Sequence, residues 1–262
     1  MTDAPRITVE RDGHVLLMGL NRADKRNAAD FRMLQELSLA YGELERDPEL
    51  RAGLVFAHGD HFTGGLDLAD VGPRIGPEGL DMVPEGGINP WQVSGQSISK
   101  PVVVAVQGTC LTLGIELMLA SDIVVAADST TFGQIEVARG ILPFGGATIR
   151  FPRAAGWGNA MRWILTGDTF TADNALRMGI VQEVVPHGEQ YARGLALAQR
   201  IASQAPLAVQ AALANARIAV REGDAAAEAA LQPDLVRLVG SADARIGMEA
   251  FLSRQPAVFT GK

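Results

Sequence analysis

The sequence has a single cysteine, Cys110, among 262 residues. One thiol cannot close an intrachain disulfide, so no cystine framework holds the chain together and a reducing compartment suits it. Cys110 itself reads as a small buried hydrophobe. Positive charge is also short: 23 Lys and Arg against 30 Asp and Glu leave a net charge of −7. That balance argues against a nucleic-acid partner, which needs a basic stripe to neutralise phosphates. A local basic cluster for a small anionic ligand stays open. No apolar run approaches the ~18 residues of a transmembrane helix, and the opening MTDAPRITVE lacks the basic-then-apolar layout of a leader. The expectation is a cytoplasmic protein that engages neither membrane nor nucleic acid. His58 and His61 stand without a thiolate or a further histidine nearby, so no metal site is expected. The G-x-S-x-G elbow of a serine hydrolase is missing, and Gly156 and Gly158 lack the third glycine and preceding strand of a dinucleotide fingerprint.

What is present is an ordinary globular composition, 47% hydrophobic and 20% charged, long enough for one large domain or a core with a smaller subdomain. The organising stretch is Val104 to Gly146. It reads as a buried strand, a glycine turn, a helix with Glu116 in its first turn, a second strand over Asp122 to Ala127, and a short segment with Glu136. A carboxylate amid Leu113, Ile115, Leu117 and Leu119 is costly unless it has a partner or a task. A strand between the two glutamates can return Glu136 to the same end of the sheet. Two carboxylates facing one pocket suit acid and base chemistry on a neutral substrate.

Elsewhere the pattern predicts a hairpin over residues 7–20 turning at Arg11-Asp12-Gly13, then a helix from about Phe31 to Glu45 with Asn27 as its cap and Asp30 in its first turn. Gly53 to Ala57 reads as a strand buried under helices. The Gly64-Gly65 corner after it offers free N–H groups to an oxyanion. Residues 69–99 lose periodicity and gather glycine and proline, which suggests a lid with Trp91 as an apolar wall. Strands over Val102 to Val106 and Ile180 to Val185 and a helix capped by Thr171 follow. Beyond residue 188 the sequence is helical, with a break near Pro233 and a final helix capped by Ser241. This shift divides the chain into a core, 1–203, and a helical subdomain, 204–262, whose Ala and Leu faces suit docking.

Several motifs occur together in fixed order: Asn21-Arg22 and Asn27-Ala28; Phe62-x-x-Gly65-x-Asp67-Leu68; Gly108 with Gly114-x-Glu116-Leu117; Phe132-Gly133-Gln134-x-Glu136; Leu165-Thr166-Gly167; Gly179-Ile180-Val181; and Gly247-Met248-x-Ala250-Phe251. Over nearly its whole length the chain resembles the enoyl-CoA hydratases of the crotonase superfamily. The resemblance implies an α/β fold, a crotonase-like spiral of ββα units with a helical C-terminal trimerisation subdomain, assembled as a homotrimer or a dimer of trimers. It implies an acyl-CoA substrate, of which coenzyme A is part, and no separate cofactor. It further implies an oxyanion hole from the backbone N–H groups of Leu66 and Leu113, Glu116 as base on water, and Glu136 as proton donor to the carbon beside the carbonyl. Lys25, Arg26, Gly64, Phe259 and Lys262 are implied for coenzyme A, and Trp91 and Phe144 for the acyl pocket.

Two positions depart from the pattern. The usual glycine triplet before the first glutamate is here Thr112-Leu113-Gly114, so the Leu113 amide serves only if its φ is negative. Phe144 stands where glycine commonly follows the proline matched by Pro143. Enoyl-CoA isomerisation, another superfamily reaction, and acyl-CoA binding without turnover are the alternatives to hydration.

Overall fold

The computed structural model describes residues 4–262. Met1 to Asp3, the head of the segment read for a leader, lie outside the described residues. Among the described residues the main sheet has six strands, in the order β1 (Ile7–Asp12), β2 (Val15–Leu20), β3 (Ala52–Ala57), β4 (Val102–Val106), β6 (Ile123–Ala127) and β9 (Glu183–Val185). Strand β1 pairs antiparallel with β2, and the rest of the sheet is parallel. The hairpin turns at Gly13-His14, because β1 runs on through Asp12 to pair with Val15. After helix α1 (Phe31–Arg46) come β3 (Ala52–Ala57) and the short α2 (Leu68–Val71). Strand β4 (Val102–Val106) then enters the sheet, and β5 (Thr109–Leu111) leaves it. Helix α3 (Leu113–Ala120), β6 (Ile123–Ala127) and β7 (Thr131–Gly133) repeat the pattern. Helices α4 (Ala147–Ala155) and α5 (Trp157–Thr166), strand β8 (Thr169–Thr171), α6 (Ala172–Arg177) and β9 (Glu183–Val185) complete this part.

Strands β5, β7 and β8 form a second, three-stranded sheet. Two successive turns, β4 to β5 and β6 to β7, thus place one strand in the large sheet and the next in the small one, which gives the spiral. The main sheet reads as near-continuous apolar runs because both its faces are covered. Leu16, Met18, Val55, Val102 and Val104 face the larger core. Val15, Leu17, Leu54, Val103 and Ala105 face helix α7 (Gln190–Ala202) through Ala198 and Ala202.

Helices α8 (Pro206–Glu222), α9 (Asp224–Val239) and α10 (Ala242–Ser253) follow. The break expected near Pro233 does not occur: Pro233 lies inside α9. A proline there removes one N–H bond, and α9 is held along its length against α8. Among the described residues no helix is long and apolar enough to cross a membrane.

Candidate active site

The loops that leave the carboxyl ends of the parallel strands meet at one place, where open α/β sheets bind their ligands. The loop after β2 is fastened there by Asn27, not capped by it. This residue is fully buried with φ 52°. Its Oδ1 accepts from the Arg22 N–H (2.7 Å), and its Nδ2 donates to the carbonyls of His58 (2.9 Å) and His61 (2.8 Å). Asp30, expected in the first turn of α1, is its cap and accepts from the Met33 N–H at 2.9 Å. A side chain with one acceptor and two donor hydrogens is satisfied by crossing between loops, which spacing along the chain cannot reveal. His58 bonds Thr8 and His61 accepts from the Thr109 N–H, so the two rings pin different loops. No group of three or more metal-binding side chains occurs among the described residues.

Thr63 carries the path onward: its hydroxyl donates to the Asn27 carbonyl (2.7 Å) and accepts from the Gly65 N–H (3.1 Å). Gly64 donates to the Arg26 carbonyl at 2.8 Å, which sets Lys25 and Arg26 beside the corner. Gly65 has φ 100°, and a Cβ there would lie 2.5 Å from Thr112 Oγ1. Arg22 bridges to Asp67 at 2.8 Å and holds its carboxyl below the usual range.

The positive φ of the second corner falls on Thr112 (φ 49°, ψ −113°), and Leu113 is the first helical residue of α3. The Leu113 amide therefore points out of a helix start, where N–H groups have no intrahelical acceptor and the dipole favours negative charge. Among the described residues neither Leu66 nor Leu113 donates its N–H to a protein acceptor. Both line one cavity of about 150 Å³ with Gly64, Glu116, Glu136 and Phe144. The Thr112 hydroxyl, packed over Gly65, is buried without a partner.

Glu116 is 3% exposed and Glu136 5%. Glu116 Oε1 accepts from the Ala147 N–H at 3.1 Å, and a Cβ on Gly145 would come within 2.6 Å of Oε2, so only glycine lets the chain wrap this closely. Burial pushes the Glu116 carboxyl up to about 7, with the Ala147 N–H opposing and the nearby Glu136 adding to the rise. Glu136 sits in a 3-10 turn over Glu136–Arg139. Its Oε1 accepts from Gln134 Nε2 at 2.7 Å, and its Oε2 is buried without a partner. Burial raises this carboxyl as well, against its own backbone N–H and Gln134. The site therefore holds two proton-exchanging groups and two unspent amide donors around one small chamber.

The sequence model of the Enoyl-CoA hydratase/isomerase family matches residues 10–262. The chain belongs to the enoyl-CoA hydratase/isomerase family. It is 32% identical to the enoyl-CoA hydratase EchA19 of Mycobacterium tuberculosis, over 98% of this chain and 97% of that one. It is 31% identical to the 2,3-dehydroadipyl-CoA hydratase of Escherichia coli, over 98% and 99%. Among solved structures, a probable enoyl-CoA hydratase/isomerase from Mycobacterium abscessus superposes with a TM-score of 0.96 at 60% identity, covering 99% of this chain and 100% of that one. The fold is that of the enoyl-CoA hydratases.

A smaller chamber of about 40 Å³ lies beside this cavity. Trp91, 2% exposed, and Phe144 flank it with Leu34, Leu80, Met82 and Val93. Trp91 also donates Nε1–H to the Leu113 carbonyl at 2.8 Å, so the segment read as a lid is tied to the helix start. Phe259 and Lys262 are not brought to this cavity. Phe259 lines a separate one beside Gly13, His14 and Arg51, at the opposite end of the strands, and the Lys262 carbonyl is held by the Asp243 N–H. Sequence reasoning also missed Gln134 as the partner of Glu136 and Arg150 beside Glu116. An amide two residues before the second glutamate was the available signal for the first.

Proposed function

We propose that the protein is a hydro-lyase that adds water across the double bond of a 2-enoyl-CoA thioester. The observation that carries this reading is a pair of buried carboxyls, both with raised pKa, facing one cavity that also holds two unengaged amide N–H groups. The thioester oxygen sits between the Leu66 and Leu113 amides, which gain strength as the enolate charge develops. One such donor is worth about 2.7–4 kcal/mol of barrier. Glu116, ionised, takes a proton from water as its oxygen bonds to C3 and the π electrons move toward the carbonyl oxygen. Glu136, protonated, gives its proton to C2 as the enolate collapses. Like charges held close resist joint ionisation, which favours one acid and one base at neutral pH.

Lys25, Arg26 and Gly64 are placed to receive the coenzyme A phosphates at the mouth, since guanidinium and ammonium groups suit them. The named relatives support an enoyl-CoA substrate, and the crowded chamber beside Trp91 and Phe144 favours a short acyl group. Phe259 and Lys262 can reach a coenzyme A only on a neighbouring copy. That fits a trimer built through residues 204–262, where Val236, Phe251 and Leu252 stand exposed. The buried thiol of Cys110 fits the cytoplasm.

The test is loss of the enoyl-thioester absorbance with 2-enoyl-CoA substrates of graded length, in wild type and in Glu116→Gln and Glu136→Gln. Each substitution is expected to lower kcat by about 10²-fold or more. Inactivity of the wild type on the whole panel refutes the reading. Activity confined to moving the double bond of a 3-enoyl-CoA makes the protein an isomerase.

A further inference from the structure

Away from the site just described, a cavity of about 650 Å³ opens between residues 92–97, the end of α3, α4 and α8. Arg150, Arg153, Arg217 and Arg221 all line it, and Asp122 is the one carboxylate in its wall. Arg217 pairs with Asp122 at 3.0 Å. Among the described residues the other three have no ion pair. Arg150 donates to the carbonyls of Gly145 (3.2 Å) and Gln92 (3.0 Å), and Arg221 to Ser97 Oγ (3.1 Å). Three guanidinium groups without an ion pair thus share one concavity of a protein whose net charge is −7, and Arg150 among them feels a nearby carboxylate, Glu116 of the neighbouring site. Gathered like charges repel, and Arg150 is half-buried while Arg153 and Arg221 are exposed, so an anion that enters the cavity meets an attractive field. The Arg150 guanidinium pKa is lowered by burial first and then by Arg221, with Glu116 opposing and Arg153 and Arg217 adding.

We propose that this cavity is a second binding site, for a small phosphorylated anion that carries at least two negative charges. Guanidinium forks match phosphate oxygens two at a time, and four of them around one space fit an oligophosphate better than a single carboxylate. The space also exceeds what a lone phosphate fills, leaving room for the remainder of a phosphorylated metabolite.

The experiment is titration calorimetry of the full-length, assembled protein with inorganic pyrophosphate, with ionic strength held constant by sodium chloride. Saturable binding is expected, with a component that is weakened at least about tenfold in the Arg153→Gln/Arg221→Gln double variant. Both side chains are exposed, and circular dichroism checks that the variant folds. A Lys25→Gln/Arg26→Gln variant, which removes the basic groups proposed for the coenzyme A phosphates, is expected to keep the component that the Arg153/Arg221 variant loses. Absence of saturable binding overturns the proposal, as does binding that is lost in the Lys25/Arg26 variant and kept in the Arg153/Arg221 variant.

Discussion

Replacing Glu116 by glutamine should make the protein more stable, by an amount set by pH. The carboxyl titrates near 4.5 in an unfolded chain and is pushed to about 7 in the folded one, chiefly by burial. Between those values the folded state keeps a proton that the unfolded state has released. Stability therefore falls as pH rises from about 4.5 to about 7, and levels off above. At about 1.36 kcal/mol for each tenfold change in proton affinity, the full loss is on the order of 3 kcal/mol. Glutamine keeps an oxygen to accept from the Ala147 N–H and carries no charge, so it escapes that loss. Wild type and variant should have similar stability near pH 4 and differ by about 3 kcal/mol near pH 8. The assay is urea unfolding across this range at one fixed protein concentration, because assembly contributes to stability by mass action. Two stability curves that run parallel from pH 4 to pH 8 would refute the reasoning: Glu116 would then not be the buried group that titrates. The same variant should be inactive, an instance of a site held at the expense of the fold.

Three further outcomes are expected. Asn27→Ala removes the three bonds that fasten the loop after β2 and should cost about 2–4 kcal/mol in thermal or urea unfolding, with a raised KM for acyl-CoA as Lys25 and Arg26 lose their seat; an unchanged KM would separate that loop from coenzyme A. Gly65→Ala meets Thr112 Oγ1 at 2.5 Å and a φ of 100°, so kcat should fall by about 10-fold or more as the Leu66 amide shifts; wild-type kcat would show that this amide takes no part. Phe144→Ala should shift the preference among 2-enoyl-CoA substrates toward longer acyl groups, read as the ratio of kcat/KM values, and an unaltered ratio would place the acyl group elsewhere.

The parts of this molecule legible in the sequence are those written in one stretch of chain. Strands β2, β4 and β6 are apolar runs because the sheet is covered twice, and α1 shows its buried stripe at Leu34, Leu37, Tyr41 and Leu44. Glu116 was conspicuous as a carboxylate in an apolar helix. Strands β5, β7 and β8 escaped notice because three residues each carry no readable period, and they exist through partners far along the chain. Helix α4 was hidden by Pro152, which lies within it. Asn27 and Asp30 look alike as caps, and only the distant carbonyls of His58 and His61 decide between them. The positive φ at Thr112 follows from a turn that ordinarily takes glycine, and it leaves Leu113 in helical geometry.

The notch between Gly65 and Thr112 also bears on how this site can change over generations. The Thr112 side chain fills the space that a side chain at 65 would need, and each corner sits directly ahead of an amide proposed to meet the substrate. Position 112 can lose its side chain freely, whereas position 65 is held to glycine twice over, by the Thr112 hydroxyl and by its own positive φ. The constraint between these two loops, distant along the chain, therefore runs one way, from 112 onto 65.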